Sequence, residues 1–221
     1  MTRMAENAAM FDGQQFLGLL CKTLVAVALC AVAVVVCYYF VDRPVAFFVY
    51  DHKTAKLDGL KWLTEPPPLA QSWSPLVLTV LAARRAFGPW KRWQLALFMA
   101  CVSVIVADQF RESMGDLFGR YWPETWHNNN PSLIGNGAYG FHPFEVGDDV
   151  GSFPSGHAAR ILAFASVFWL AMPRSRWLCT LVAVPMLVAL LGMNYHFVGD
   201  VVAGSVLGGI VGVWAARTAD V

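Results

Sequence analysis

Apolar residues in this chain come in long unbroken runs separated by short polar stretches, a pattern on the scale of a membrane-spanning helix rather than of a strand. From Thr23 to Val41 no charged residue occurs, and a helix needs about 20 residues to cross the hydrocarbon core. Five further runs, at residues 69–86, 93–110, 157–172, 177–194 and 197–216, predict five more spans. The second of the six is interrupted at its start by Gln71, Ser72, Ser74 and Pro75. The pattern thus predicts an all-α, polytopic fold, a six-transmembrane-helix bundle forming a single domain over residues 1–221. The first span reads as a retained anchor. Tyr38 to Arg43 offers no small-residue cleavage site, and Lys22 alone is a thin basic leader.

The polar stretches predict their own elements. Between the first two spans, Leu57, Leu60 and Leu63 recur at steps of three with Lys53, Lys56 and Lys61 interleaved, which fits either a short interfacial helix or an irregular loop. Pro66, Pro67 and Pro68 act as a stop before the second span. The segment from Tyr121 to Phe153 exceeds the length of a bare connection. It mixes turn formers (Asn128, Asn129, Asn130, Pro131) with aromatics (Trp122, Trp126, Tyr139, Phe141, Phe144), as expected of a lid over a site or of an outer loop with interfacial anchors.

Basic residues orient the bundle. Arg84, Arg85, Lys91 and Arg92 occupy one short loop, Arg174 and Arg176 another, and Arg3 and Arg217 lie near the ends. The positive-inside rule makes these loops and both termini cytoplasmic, leaving segments 42–68 and 111–156 on the outer face.

Composition agrees with a membrane protein: 57% apolar and 14% charged residues, with a mean hydropathy of +0.50. A net charge of +1 and the lack of a Lys/Arg-rich run give no footprint for nucleic acid. Cys21, Cys30, Cys37, Cys101 and Cys179 are odd in number, lack CxxC spacing and sit in or beside apolar runs, so they are expected to be small core residues rather than a disulfide framework or zinc site. Glu145, Asp148 and Asp149 read as a solvated loop, and no metal site is expected.

Candidate chemistry gathers on the outer face, in Pro154-Ser155-Gly156-His157 and in His196-Phe197-Val198-Gly199-Asp200, each at the head of an apolar run. Ser155 is suited to cap a helix beginning near Gly156, whose free N–H groups and positive dipole end attract an anion. Glycine at 156 permits close approach of an oxyanion, and His157 in the first turn can pass it a proton. Asp200 lies one helical turn beyond His196 on the same face, where a carboxylate can orient an imidazole and stabilise a cation formed on it. The competing reading is that these are polar residues satisfied within a bundle.

On these two motifs the chain resembles the type 2 phosphatidic acid phosphatase (PAP2) superfamily, over about residues 111–204 and the six-helix layout. The resemblance implies that His196 attacks phosphorus to form a phosphohistidine, that His157 protonates the leaving oxygen, and that Asp200 orients the nucleophile. It also implies chemistry without metal or other cofactor and a phospholipid or polyprenyl phosphate as substrate, while the short loops and small size point to a bacterial inner membrane as location. Undecaprenyl diphosphate, phosphatidylglycerol phosphate, phosphatidate and the 1-phosphate of lipid A are the implied candidates.

Two departures from the family pattern stand out. Aligning Pro123 with the proline of the first motif puts Gly115 and Trp122 where lysine and arginine are usual, and Leu190 stands where the third motif has arginine. Transferred phosphoryl groups need cationic partners. Arg120, Arg160 and Arg111, in that order, are the expected replacements, with Asn194 as a neutral donor. Arg160 also fits a structural pairing with Asp108 or Asp116. A lipid phosphotransferase and a non-catalytic relative remain the alternatives to hydrolysis. A transporter would show inverted symmetry or paired broken helices, and the chain has neither.

Overall fold

The computed structural model describes residues 13–220 except 127, 128, 146, 148 and 149. Arg3, Asn128, Asp148 and Asp149, named above, lie outside the described residues. Among the described residues every regular element is helical, with two isolated β-bridges in the long loop after residue 119. Helix α1 (Gly13–Val36) passes through a π turn (Cys37–Val41) into α2 (Asp42–Asp51). The stretch expected to be an interfacial helix forms a 3₁₀ turn (Thr54–Lys56) and the short α3 (Asp58–Leu63). Then follow α4 (Pro66–Arg85), α5 (Arg92–Phe118), the single turn α6 (Leu133–Asn136), α7 (Gly156–Ala171), α8 (Arg176–Gly192) and α9 (Val198–Thr218).

Among the described residues, four continuous helices, Gly13–Asp51, Arg92–Phe118, Pro173–Gly192 and Val198–Thr218, are long and apolar enough to cross a membrane. The other two expected spans are helices of the same bundle but fall short of that description. Helix α7 has 16 residues, and α4 opens with prolines and polar residues that lower its hydropathy. Helix α1 buries none of its residues although Leu24, Leu29 and Val32 are more than half exposed. An apolar helix with no buried face requires a nonaqueous surrounding, which marks the chain as a multi-pass membrane protein.

Helix ends follow local chemistry. Pro173 cannot continue α7 and restricts Met172 before it. Gly119 closes α5 in the left-handed region (φ 52°), and any side chain there would collide with the His142 carbonyl. Its conformation turns Arg120 inward.

At the centre, α7 packs most extensively on α9 and then on α5. Contact with α9 is close because Gly204, Gly208 and Gly212 repeat every fourth residue along the facing stripe. A Cβ on each would overlap the carbonyls of Ser155, Ala159 and Ala163 respectively. Small residues at this spacing let two backbones approach where lipid supplies no hydrophobic drive. Apolar layers complete the interior, one around Met186 and Leu190 and another around Ala96, Ala100 and Val167.

Gly208→Ala is expected to lower stability in detergent by about 1–3 kcal/mol through overpacking. Gly209→Ala, whose Cβ would meet no atom nearer than Ser166 Oγ at 4.0 Å, should be neutral. Parallel thermal melts compare the two.

Candidate active site

The site is built from two helix heads. Ser155 caps α7, accepting from the Ala158 N–H at 3.4 Å, while its own N–H donates to the Asp200 carbonyl at 3.0 Å. The head of α7 is therefore fastened to the head of α9. The turn from α8 to α9 carries Asn194 at φ 56°, and His196 follows immediately before the extended Phe197. The two imidazoles share one cavity, with ring centroids 6.2 Å apart.

That cavity holds about 460 Å³. Arg111, Gly156, His157, Arg160 and His196 line one side. Thr64, Glu65, Pro68, Trp122, Trp126 and Tyr195 contribute the remaining wall. At Gly156 a Cβ would fall 3.2 Å from Arg160 Nη2 and 3.3 Å from Arg111 Nε, so both guanidinium groups converge on the N-terminus of α7. Arg111 is steadied by the Gly151 carbonyl at 2.7 Å, and Arg160 Nε by Asp108 Oδ1 at 2.7 Å. Gln71 bonds the second oxygen of Asp108. Arg160 thus pairs with Asp108, one of the two partners considered for it, and also lines the cavity.

The orientation of His196 differs in detail from expectation. Its Nδ1 lies 3.0 Å from the Ser152 carbonyl, which can only accept, so Nδ1 carries the proton and the lone pair of the neutral ring is on Nε2. Asp200 stands 3.8 Å from Nδ1, beyond hydrogen-bond reach, and acts there through charge. The carboxylate itself is fixed by the Phe197 N–H at 2.9 Å and by Arg120. Backbone, not carboxylate, sets the tautomer.

Arg120, the first choice for a phosphate contact, is fully buried. Its Nη1 donates to Asp200 Oδ1 at 2.5 Å and its Nη2 to Asp42 Oδ2 at 2.6 Å. The guanidinium lies 4.4 Å from the Phe197 ring centroid and 4.7 Å from that of Phe141. Burial alone would lower its pKa, but Asp200 and Asp42 outweigh it and push the value up. It does not line the cavity. Asn194 is likewise enclosed, its amide donating to the Ala46 carbonyl and to Glu124 Oε2, both at 3.3 Å. In the cavity wall, burial and then the charge of Glu65 raise the Tyr195 phenol pKa, which keeps it a proton donor.

The sequence signals that reached the site are Arg111, Gly156, His157, Arg160 and His196. Those that escaped are Asp42, Ser152 and Gln71. Asp42 carried a hint, as an acid directly following an apolar run.

The family model of the PAP2 superfamily matches residues 91–220, well over half of the chain. The chain belongs to the PAP2 superfamily. This PAP2 protein is similar in structure to a solved transmembrane PAP2-type phosphatidylglycerolphosphate phosphatase from Bacillus subtilis, at 15% identity and a TM-score of 0.48, covering 88% of this chain and 94% of the other. No curated protein matches its sequence.

Arg120→Ala would leave Asp42 and Asp200 buried with no cation between them. A loss of about 3–5 kcal/mol is expected, since removing one partner of a buried ion cluster strands the others. Thermal melting of the purified variant against wild type measures it.

Proposed function

We propose that this PAP2 protein is a membrane phosphatase hydrolysing a lipid phosphate or diphosphate through a phosphohistidine on His196. The observation that carries this reading is the convergence of Arg111 and Arg160 on Gly156, beside His157 and His196 in one cavity. Two guanidiniums at a helix N-terminus suit the oxygens of a phosphoryl group. They take the place of the missing motif cations, a role assigned from the sequence first to Arg120.

The steps follow from that arrangement. Arg111, Arg160 and the N–H groups of α7 hold the phosphate oxygens. Nε2 of His196 attacks phosphorus while the ester P–O bond breaks, and His157 gives its proton to the departing oxygen. His157 then takes a proton from water, whose oxygen attacks the phosphohistidine, breaking the P–N bond and releasing inorganic phosphate. These residues perform each step without calling on a metal.

An apolar hollow of about 420 Å³ supports a lipid substrate. It is lined by Ile161, Phe164, Ala165 and Phe168 of α7, facing Ala70 of α4 and Val182 of α8. Arg160 lines the cavity and Ile161, the next residue, lines the hollow, so α7 contributes to both. Headgroup above and tail below is the pose this suggests, with the cavity on the periplasmic face of a bacterial inner membrane. Undecaprenyl diphosphate, phosphatidylglycerol phosphate, phosphatidate and lipid A 1-phosphate are the substrates to compare.

Phosphate release from that panel, by detergent-purified protein in chelator, is expected to vanish in His196→Ala. Arg111→Ala and Arg160→Ala should each lower kcat/KM by roughly 100-fold, the scale of one lost charge-assisted contact in a transition state. Labelled phosphate trapped on wild type but absent from His196→Ala would identify the nucleophile. A phosphorylated lipid acceptor in place of free phosphate would turn the assignment to transfer. Ala165→Trp, which fills the hollow, is expected to raise KM for long-chain substrates while sparing a water-soluble short-chain analogue.

A further inference from the structure

The N-terminal helices lie outside residues 91–220, the region matched by the family model, yet they put a carboxylate into the interior of the site. Between α1 and α2 the helix loosens into a π turn, closed by the Asp42 N–H bonding to the Cys37 carbonyl. A π turn re-aims the residues that follow it and is frequent at functional sites. Here it delivers Asp42 inward, at 1% exposure. Asp42 Oδ1 accepts the Gly199 N–H at 2.9 Å and Oδ2 accepts Arg120 Nη2 at 2.6 Å. Tyr139 seals the approach by donating its hydroxyl to the Tyr38 carbonyl at 2.6 Å and stacking on the Tyr38 ring at 4.8 Å.

The formal charges make this cluster more than a brace. Arg120 paired with Asp200 alone would be neutral, and the guanidinium would cancel much of the carboxylate's field at His196. With Asp42 the single cation is shared between two carboxylates, leaving one negative charge in excess beside the imidazole. Other charged or titratable groups facing His196 are His157, Arg111, Arg160, Glu65 and Tyr195 around the cavity. Those facing the cluster are Cys37, Tyr38 and Tyr139, with Arg43 over the Tyr139 ring. Arg111 and Arg160 oppose a cation on His196. The excess negative charge on the far side of the ring offsets them.

We propose that Asp42 is a positioning residue: acting through Arg120, it keeps the carboxylate cluster net negative, and so stabilises the positive charge that develops on His196 as the N–P bond forms. This rests on His196 being the nucleophile. The charge moves no atoms of its own, so the step remains the displacement described above.

Asp42→Asn is the test, because the amide keeps the shape and an acceptor for the Gly199 N–H while removing the charge. Histidine-selective isotope labelling and NMR in detergent follow the imidazole, with His196→Gln identifying its signal. A carboxylate favours imidazolium, so its loss is expected to move the His196 signal's pH response toward acid pH. The acid limb of the pH–rate profile should move the same way, with kcat about tenfold lower and KM unchanged. Asp42→Glu, which restores the charge, should titrate like wild type. An unmoved His196 titration in Asp42→Asn overturns the proposal, and so does a lowered melting temperature with no change in titration, which would make Asp42 a brace only. If Asp42→Asn does not fold, Asp42→Ser, small enough to admit water beside Arg120, is measured the same way. The NMR readout needs no turnover, so wild type inactive on every lipid would count against the phosphatase reading while the titration still decides this one.

Discussion

The close approach of α7 and α9 governs this molecule. Glycines 204, 208 and 212 bring the two backbones to a separation at which no side chain fits between them, and the consequence is felt at the Ser155 end of α7. There the Ser155 N–H reaches the Asp200 carbonyl, and two helix heads that begin in different parts of the chain become one rigid corner. His157 and His196 share a cavity because of that corner. In a lipid surrounding such packing cannot rely on the hydrophobic effect, and steric fit between small residues takes its place.

Around the corner the protein distributes its guanidinium groups by degree of enclosure. Arg111 and Arg160 keep a face on the cavity, each held from behind by a carbonyl or a carboxylate. Arg120 has no such face. It is surrounded by aromatic rings and bonded to Asp42 and Asp200, and its charge is spent inside the protein. The difference lies in the backbone: Arg111 and Arg160 project from helices that border the cavity, whereas Arg120 follows the left-handed Gly119 into the long loop after α5 and is enclosed there. That loop is less a detached cover than a part of the site, since it supplies the Ser152 carbonyl to His196 and Trp122 and Trp126 to the wall.

Much of this was legible in the linear chain. Long charge-free runs specify helices and a membrane because the hydrocarbon core leaves backbone groups no other partner. Ser155 before Gly156 announces a capped helix, and His196 with Asp200 one turn on announces a paired imidazole and acid, since both depend only on local spacing. The G-x-x-x-G repeat in the last run is local too, but the helix it faces is not, and its role emerged only from the packing of α9 on α7.

What the chain by itself determined is therefore its helices, their membrane setting and the two motifs that carry the histidines, all fixed by neighbours within a few residues. Which arginine meets the cavity was decided by tertiary structure, because Arg111, Arg120 and Arg160 look alike in sequence and differ only in what surrounds them. The same holds for Ser152, a backbone carbonyl invisible to any reading of side chains, and for Asp42, separated from Asp200 by most of the chain. Long-range partners are chosen by packing, and the π turn that aims Asp42 has no signature in the residues that form it.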